Sequence, residues 1–166
     1  MKTFKQFLIE DIRYNMAGFK HDEKTVNLNI AYHITSAQNL NSIQTKGLLP
    51  NKVNINEPNA IFMTESIYGA IILTRTLFKN KKIKDDYVLL QINTKDLKLF
   101  KDPFSIKESG VYTYDDIPPN KIKIISIIDY DIFKNNYNWI KFWNWWFWNK
   151  QPKPDFIKKF KLKQYR

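Results

Sequence analysis

The amino-acid sequence predicts an α+β domain built on a mostly antiparallel or split sheet. Segments with the two-residue period of strands alternate early with segments of helical period, in the order β-α-β-α-β-β-β. The last strands follow one another hairpin fashion, which argues against a doubly wound parallel sheet. A length of 166 residues with 43% hydrophobic residues suits one domain with a real core.

Each element has its own signal. Residues 1–12, "MKTFKQFLIEDI", place Phe4, Phe7, Leu8 and Ile12 on one helical face. Residues 13–27 are polar and mixed, and read as a linker. In "NLNIAYHIT" (27–35) Leu28, Ile30, Tyr32 and Ile34 alternate, so a strand is expected with His33 on the opposite face from them. Ser36 is a suitable N-cap for a helix over 37–46 with Leu40 and Ile43 facing inward. Gly47 is the expected stop, and Pro50 prevents resumption. After a loop over 51–59, "AIFMT" (60–64) reads as a short buried strand. Ser66 then caps a helix running to about Phe78. Strands follow at 87–94, 111–114 and 121–128, the last two separated by Pro118-Pro119. No internal repeat is present.

Composition narrows the chemistry. The formal net charge is +11 and the pI is about 9.6. Such a balance favours an anionic partner, nucleic acid or an anionic membrane surface, although AT-rich coding also enriches Lys, Asn, Ile, Phe and Tyr. There is no cysteine, which excludes disulfides, thiolate catalysis and cysteine-based zinc sites. With His21 and His33 the only imidazoles, no metal site is expected. Apolar runs fall short of the ~20 residues of a membrane-spanning helix. The charged N-terminus lacks the apolar region of a secretory signal.

The segments "AYHITSAQNLNSIQTKGLLP" and "AIFMTESIYGAI" resemble the NAD-binding half of the ADP-ribosyltransferase fold, in its diphtheria-toxin, poly-ADP-ribose-polymerase and DarT-like branch. The signature of that branch is His, Tyr and Glu on three separate strands. His33, Thr35 and Gly47-Leu48 match the first element. The second matches in shape, but Phe62 stands where the family has Tyr. "ESGVY" supplies the third, with Glu108 three residues before Val111-Tyr112. "IPPNKIKII" also resembles small prokaryotic and phage members. The resemblance covers about residues 28–129, and the whole ADP-ribosyltransferase-like domain is taken as 28–131.

That resemblance implies NAD as a substrate and ADP-ribosyl transfer as the reaction. Breaking the nicotinamide–ribose bond passes through an oxocarbenium-like state. The enzyme must hold both groups rigidly and stabilise positive charge at the anomeric carbon. The resemblance assigns His33 to a ribose hydroxyl of the adenosine side. It assigns backbone groups beside it, at Tyr32 and Ile34, to the nicotinamide amide. Thr35 or Ser36 would hold a ribose hydroxyl, and Phe62 or Tyr68 would stack on nicotinamide. Glu108 would bind the nicotinamide-ribose 2′-hydroxyl and stabilise the cation. With Phe62 in place of Tyr, stacking is kept and a hydrogen bond is lost. Plain readings stand beside these: His33 as a satisfied half-buried histidine, Phe62 as core, Glu108 as a solvated loop charge. Glu65 is a competing carboxylate, at a place where a helix N-terminus welcomes any acid.

The ends carry separate signals. "MKTFKQFLIE" resembles the capsid-targeting segment of internal head proteins of large contractile-tailed phages, with Leu8-Ile9-Glu10 as a prohead-protease site. An ordinary amphipathic helix packed on the core explains the same residues. Residues 132–166 hold all five tryptophans, with eight Lys and one Arg against one acid, Asp155. This aromatic, basic extension reads as a packed helix, as an interfacial membrane segment, or as a surface for nucleic-acid bases. In the last case Trp143, Trp146, Lys150, Lys158 and Lys159 would make the contacts. The expectation is therefore a monomeric mono-ADP-ribosyltransferase acting on a nucleic-acid or host-protein acceptor. It would be phage-encoded, carried in the capsid and released into the host cytoplasm. A catalytically inactive DNA-binding head protein on the same scaffold is the alternative.

Overall fold

A computed structural model of the chain describes residues 24–50, 59–72, 85–102, 110–131, 134 and 163–164. Among the described residues eight strands form one sheet: β1 (Thr25–Val26), β2 (Ile30–Ser36), β3 (Ile61–Thr64), β4 (Tyr87–Asn93), β5 (Leu99–Lys101), β6 (Gly110–Thr113), β7 (Ile122–Ile128) and β8 (Lys163–Gln164). Their spatial order is β1-β5-β6-β3-β2-β4-β7-β8. Every pairing is antiparallel. Helix α1 (Leu40–Lys46) follows a 3-10 turn at Ala37–Asn39, and a second helical segment occupies residues 67–72. The expected antiparallel sheet is present, and its few accompanying helices are compatible with the expected α+β class.

The central ladder joins β2 to β4 over seven pairs, from Ile30↔Asn93 to Ser36↔Tyr87. Between β2 and β3 the ladder consists of the single pair Tyr32↔Thr64. The sheet is thus two firm halves, β5-β6-β3 and β2-β4-β7, joined at a one-pair seam.

Burial follows the alternation of the strands. The face that carries His33, called the front, holds one continuous core across the seam. Ala31, Met63, Leu90 and Val111 lie in it, with Ile43 of α1 and Ile117 packed among them. The back face holds two separate clusters, one on each half. Ile34, Leu89, Ile71 and Ile128 form the first; Phe100 and Tyr112 with Ala60 form the second.

Local sequence explains the ends of the elements. Ser36 Oγ accepts from Gln38 N and caps the 3-10 turn. Gly47 has φ +81°, and its N–H bonds the Ile43 carbonyl. A Cβ there would stand 2.1 Å from the Ile117 carbonyl oxygen. Leu48 and Ile117 exchange both backbone hydrogen bonds at 2.9 Å, tying the "GLLP" loop to the "IPP" loop. Ser66 Oγ accepts from Gly69 N, as expected of a cap.

Some expectations shift. Strand β2 runs from Ile30 to Ser36, three residues later in its start than expected. Thr25–Val26, expected in the polar linker, form β1 against β5. Leu99–Lys101, given no element, form β5, and Lys163–Gln164 of the basic tail form β8. These strands are two or three residues long, too short to show a period, and exist through their partners. The N-terminal helix of residues 1–12 lies outside the described residues.

Candidate active site at the seam

The seam between β2 and β3 collects most of the residues singled out in the sequence. His33 pairs with Leu90 across the β2–β4 ladder, so its side chain leaves from the front face. Its Nδ1 lies 2.7 Å from the carbonyl oxygen of Phe62 on β3, across the seam. A carbonyl only accepts, so Nδ1 carries the proton and donates. Burial pushes the imidazole below its ordinary value near 6.5, and the carbonyl opposes that only in part. The ring is therefore neutral near pH 7, with Nε2 left as a lone-pair acceptor.

The backbone beside His33 is equally defined. Ala37 N–H donates to the Asp86 carbonyl on the β4 side, at 2.8 Å. Alternation along the extended strand then turns the polar groups of Thr35 and His33 toward β4, and those of Tyr32 and Ile34 toward β3. Tyr32 has a ladder partner there in Thr64, and the ladder goes no further toward Ile34. The N–H and C=O of Ile34 face the edge where the two halves part.

Side chains distribute on both faces. Thr35 is on the front with His33, and its Oγ1 accepts from Asn39 Nδ2 at 2.9 Å, which leaves its own hydroxyl proton for a further acceptor. Ser36 is on the back; its hydroxyl donates to Asp85 Oδ2 at 2.9 Å while capping the 3-10 turn, so it works in the fold. Tyr32 and Tyr68 pack against the back cluster of the β2 half. The Phe62 ring packs against the other back cluster, 5.8 Å from the Tyr112 ring. Tyr32 and Phe62 thus stand on the back face of the two seam strands, and what Phe62 offers to His33 is its carbonyl.

Glu108 lies outside the described residues. Strand β6 begins two residues after it, at Gly110, and Gly110 pairs with Thr64, which pairs with Tyr32. The start of β6 therefore shares a rung with the residue preceding His33. Glu65 is exposed, just past β3. The candidate nucleic-acid residues Trp143, Trp146, Lys150, Lys158 and Lys159 lie outside the described residues. Among the described residues no cluster of potential ligands could hold a metal ion, and no helix is long and apolar enough to cross a membrane.

His33 stands out in the sequence as a candidate because a lone imidazole interrupts an apolar alternation. Its partner, the Phe62 carbonyl, does not, since a backbone atom leaves no mark in a sequence.

No family model matches the chain. It is similar to a protein of Archaeoglobus fulgidus named "Probable RNA 2'-phosphotransferase 2", 35% identical over 96 residues. The matched stretch is 57% of this chain and 38% of that protein, so the chain spans well under half of the relative.

Proposed function

We propose that this chain breaks the nicotinamide–ribose bond of NAD and transfers the ADP-ribosyl group to RNA. The observation that carries the reading is the neutral, oriented His33 bridging the seam to the Phe62 carbonyl. RNA 2′-phosphotransferases are NAD-using enzymes of the ADP-ribosyltransferase-like superfamily that pass ADP-ribose to a phosphate, so the distant relative supports this kind of reaction and this class of acceptor.

In the proposed reaction the bond from the ribose anomeric carbon to the pyridinium nitrogen breaks. Its electron pair stays with the nitrogen, which leaves as neutral nicotinamide. An oxygen of the acceptor then bonds the anomeric carbon. His33 Nε2 accepts from a ribose hydroxyl, and the Ile34 backbone edge is suited to a carboxamide, which both donates and accepts. A rigid ribose is what the oxocarbenium-like state requires, and the carbonyl-anchored imidazole supplies one fixed point. Glu108 is our candidate for the carboxylate that stabilises the cation. The capsid-targeting reading of residues 1–10 concerns residues outside those described and plays no part in this proposal.

The test is nicotinamide release from NAD by the full chain, measured by mass spectrometry. RNA bearing a 2′-phosphate, the same RNA without it, DNA and a protein lysate are added in turn. Release accelerated by RNA, and reduced about 100-fold or more in His33→Ala and in Glu108→Gln, is expected. Absence of release with every additive, from folded protein, would overturn the reading.

A further inference from the structure

The back face carries a second feature that the seam chemistry does not use. An open groove of about 410 Å³ lies beside the β2–β4–β7 half. Asn29, Gln91, Asn93, Asn120, Lys121 and Lys123 contribute to its lining, and no carboxylate does. The volume is in the range of small-molecule sites, about 300–1,000 Å³.

Its polar groups are available. Among the described residues, the side chains of Asn29, Gln91, Asn120 and Lys123 have no hydrogen-bond or ion-pair partner. Asn93 uses its Oδ1 to cap Lys95 N, which leaves its amide donors. Lys121 is held at the rim: its Nζ donates to the Lys95 carbonyl and lies 3.9 Å from the exposed Asp96 carboxylate. Ile30 is 43% exposed and adds an apolar surface. Ammonium groups suit phosphate, and primary amides suit the paired donors and acceptors of base edges. An apolar floor suits a base or ribose ring.

The sheet register connects this groove to the seam. Gly110, Thr64, Tyr32, Gln91 and Lys123 stand on one rung across five strands. With strands about 4.8 Å apart, Gln91 is one strand and Lys123 two strands from Tyr32, all on the same face. The groove therefore lies about one strand spacing from the seam on the back face, while the His33 side chain leaves from the front.

We infer that this groove binds a nucleoside phosphate unit of the RNA acceptor, its phosphate on Lys123 and Lys121 and its base against Gln91 and the neighbouring asparagines. The inference rests on RNA as the acceptor, and its test contains no NAD, so it can fail while nicotinamide release stands.

The full 15N-labelled chain, 20.0 kDa, is titrated with single-stranded oligoribonucleotide, and in a separate arm with adenosine monophosphate. Side-chain amide signals of Gln91, Asn93 and Asn120 are followed by NMR. Affinity is measured by fluorescence anisotropy for the wild type, Lys123→Gln, and Lys101→Gln as control, the last on β5 in the other half of the sheet. The expected result is that RNA shifts the three amide signals and that Lys123→Gln weakens binding several-fold. The slope of log affinity against log salt should fall by about 0.7, the value for one single-strand phosphate contact. Lys101→Gln should match the wild type. Unmoved amide signals, or unchanged affinity of Lys123→Gln, would overturn the inference. Shifts with adenosine monophosphate but none with RNA would assign the groove to a free nucleotide and overturn its role as an acceptor site.

Discussion

His33 commits one ring nitrogen to a backbone carbonyl, and that fixes what the other can do. Because burial holds the folded imidazole below its ordinary value near 6.5, the folded chain resists protonation where the unfolded chain accepts it. The unfolded state binds more protons in that interval, so stability is full above about pH 6.5 and falls as pH drops toward the folded value. Thermal midpoints between pH 7.5 and 5 should therefore fall more steeply for the wild type than for His33→Ala. Parallel curves would show that His33 is not the group responsible. Turnover that needs a neutral imidazole should also decline at a lower pH than an ordinary histidine would impose. Asp96 allows a second residue-scale prediction. It sits at φ +70° in the turn closed by Leu97 N to the Thr94 carbonyl, where glycine carries no Cβ penalty. Its contact with Lys121 is an exposed 3.9 Å pair of small value. Asp96→Gly should raise stability by about 0.5–1 kcal/mol in denaturant melts, net of glycine's own entropy cost.

Elements held by local signals are the ones whose loss is easiest to forecast. Gly47 ends α1 at positive φ and admits the Ile117 carbonyl where a side chain would stand. Gly47→Ala should cost about 2–3 kcal/mol, since backbone strain and a clash with main chain add. A chemical-denaturation midpoint equal to the wild type would show that the Leu48–Ile117 bridge yields instead. Ser66→Ala removes a cap and should cost about 1 kcal/mol. These positions were legible because they depend on the chain nearby: an alternation, a capping hydroxyl, a glycine after a helical period. Strands β2, β4, β6 and β7 were visible for the same reason, within a few residues. β1, β5 and β8 were not, because two- or three-residue strands take their conformation from a partner distant in sequence. The site divides the same way. His33 and Thr35 stood out as side chains, while the carbonyl that orients His33 and the partnering of the Ile34 edge belong to tertiary placement.

At the scale of the whole molecule the sheet is unevenly tied. Strand β4 pairs along its whole length with β2 and from Tyr87 to Ile92 with β7, and Tyr87, Val88, Leu89, Leu90 and Ile92 are wholly buried. The seam has a single ladder pair, bridged further by one side chain to one carbonyl. Local opening at the seam ladder breaks one backbone pair and leaves each half its own back-face cluster, while the continuous front core still joins the halves. Opening β4 breaks the whole core. Amide hydrogen exchange should therefore rank the chain in that order, with β4 exchanging only on global unfolding and the Ile34 amide exchanging through local opening. A ligand that spans the seam must favour the closed arrangement by its differential affinity. Saturating NAD, at about 100 times its dissociation constant, would stabilise the fold by about 2.7 kcal/mol and slow Ile34 exchange most. Slowing confined to β4, or Ile34 as protected as Val88 before NAD is added, would mean that the seam is neither loose nor the place where NAD binds.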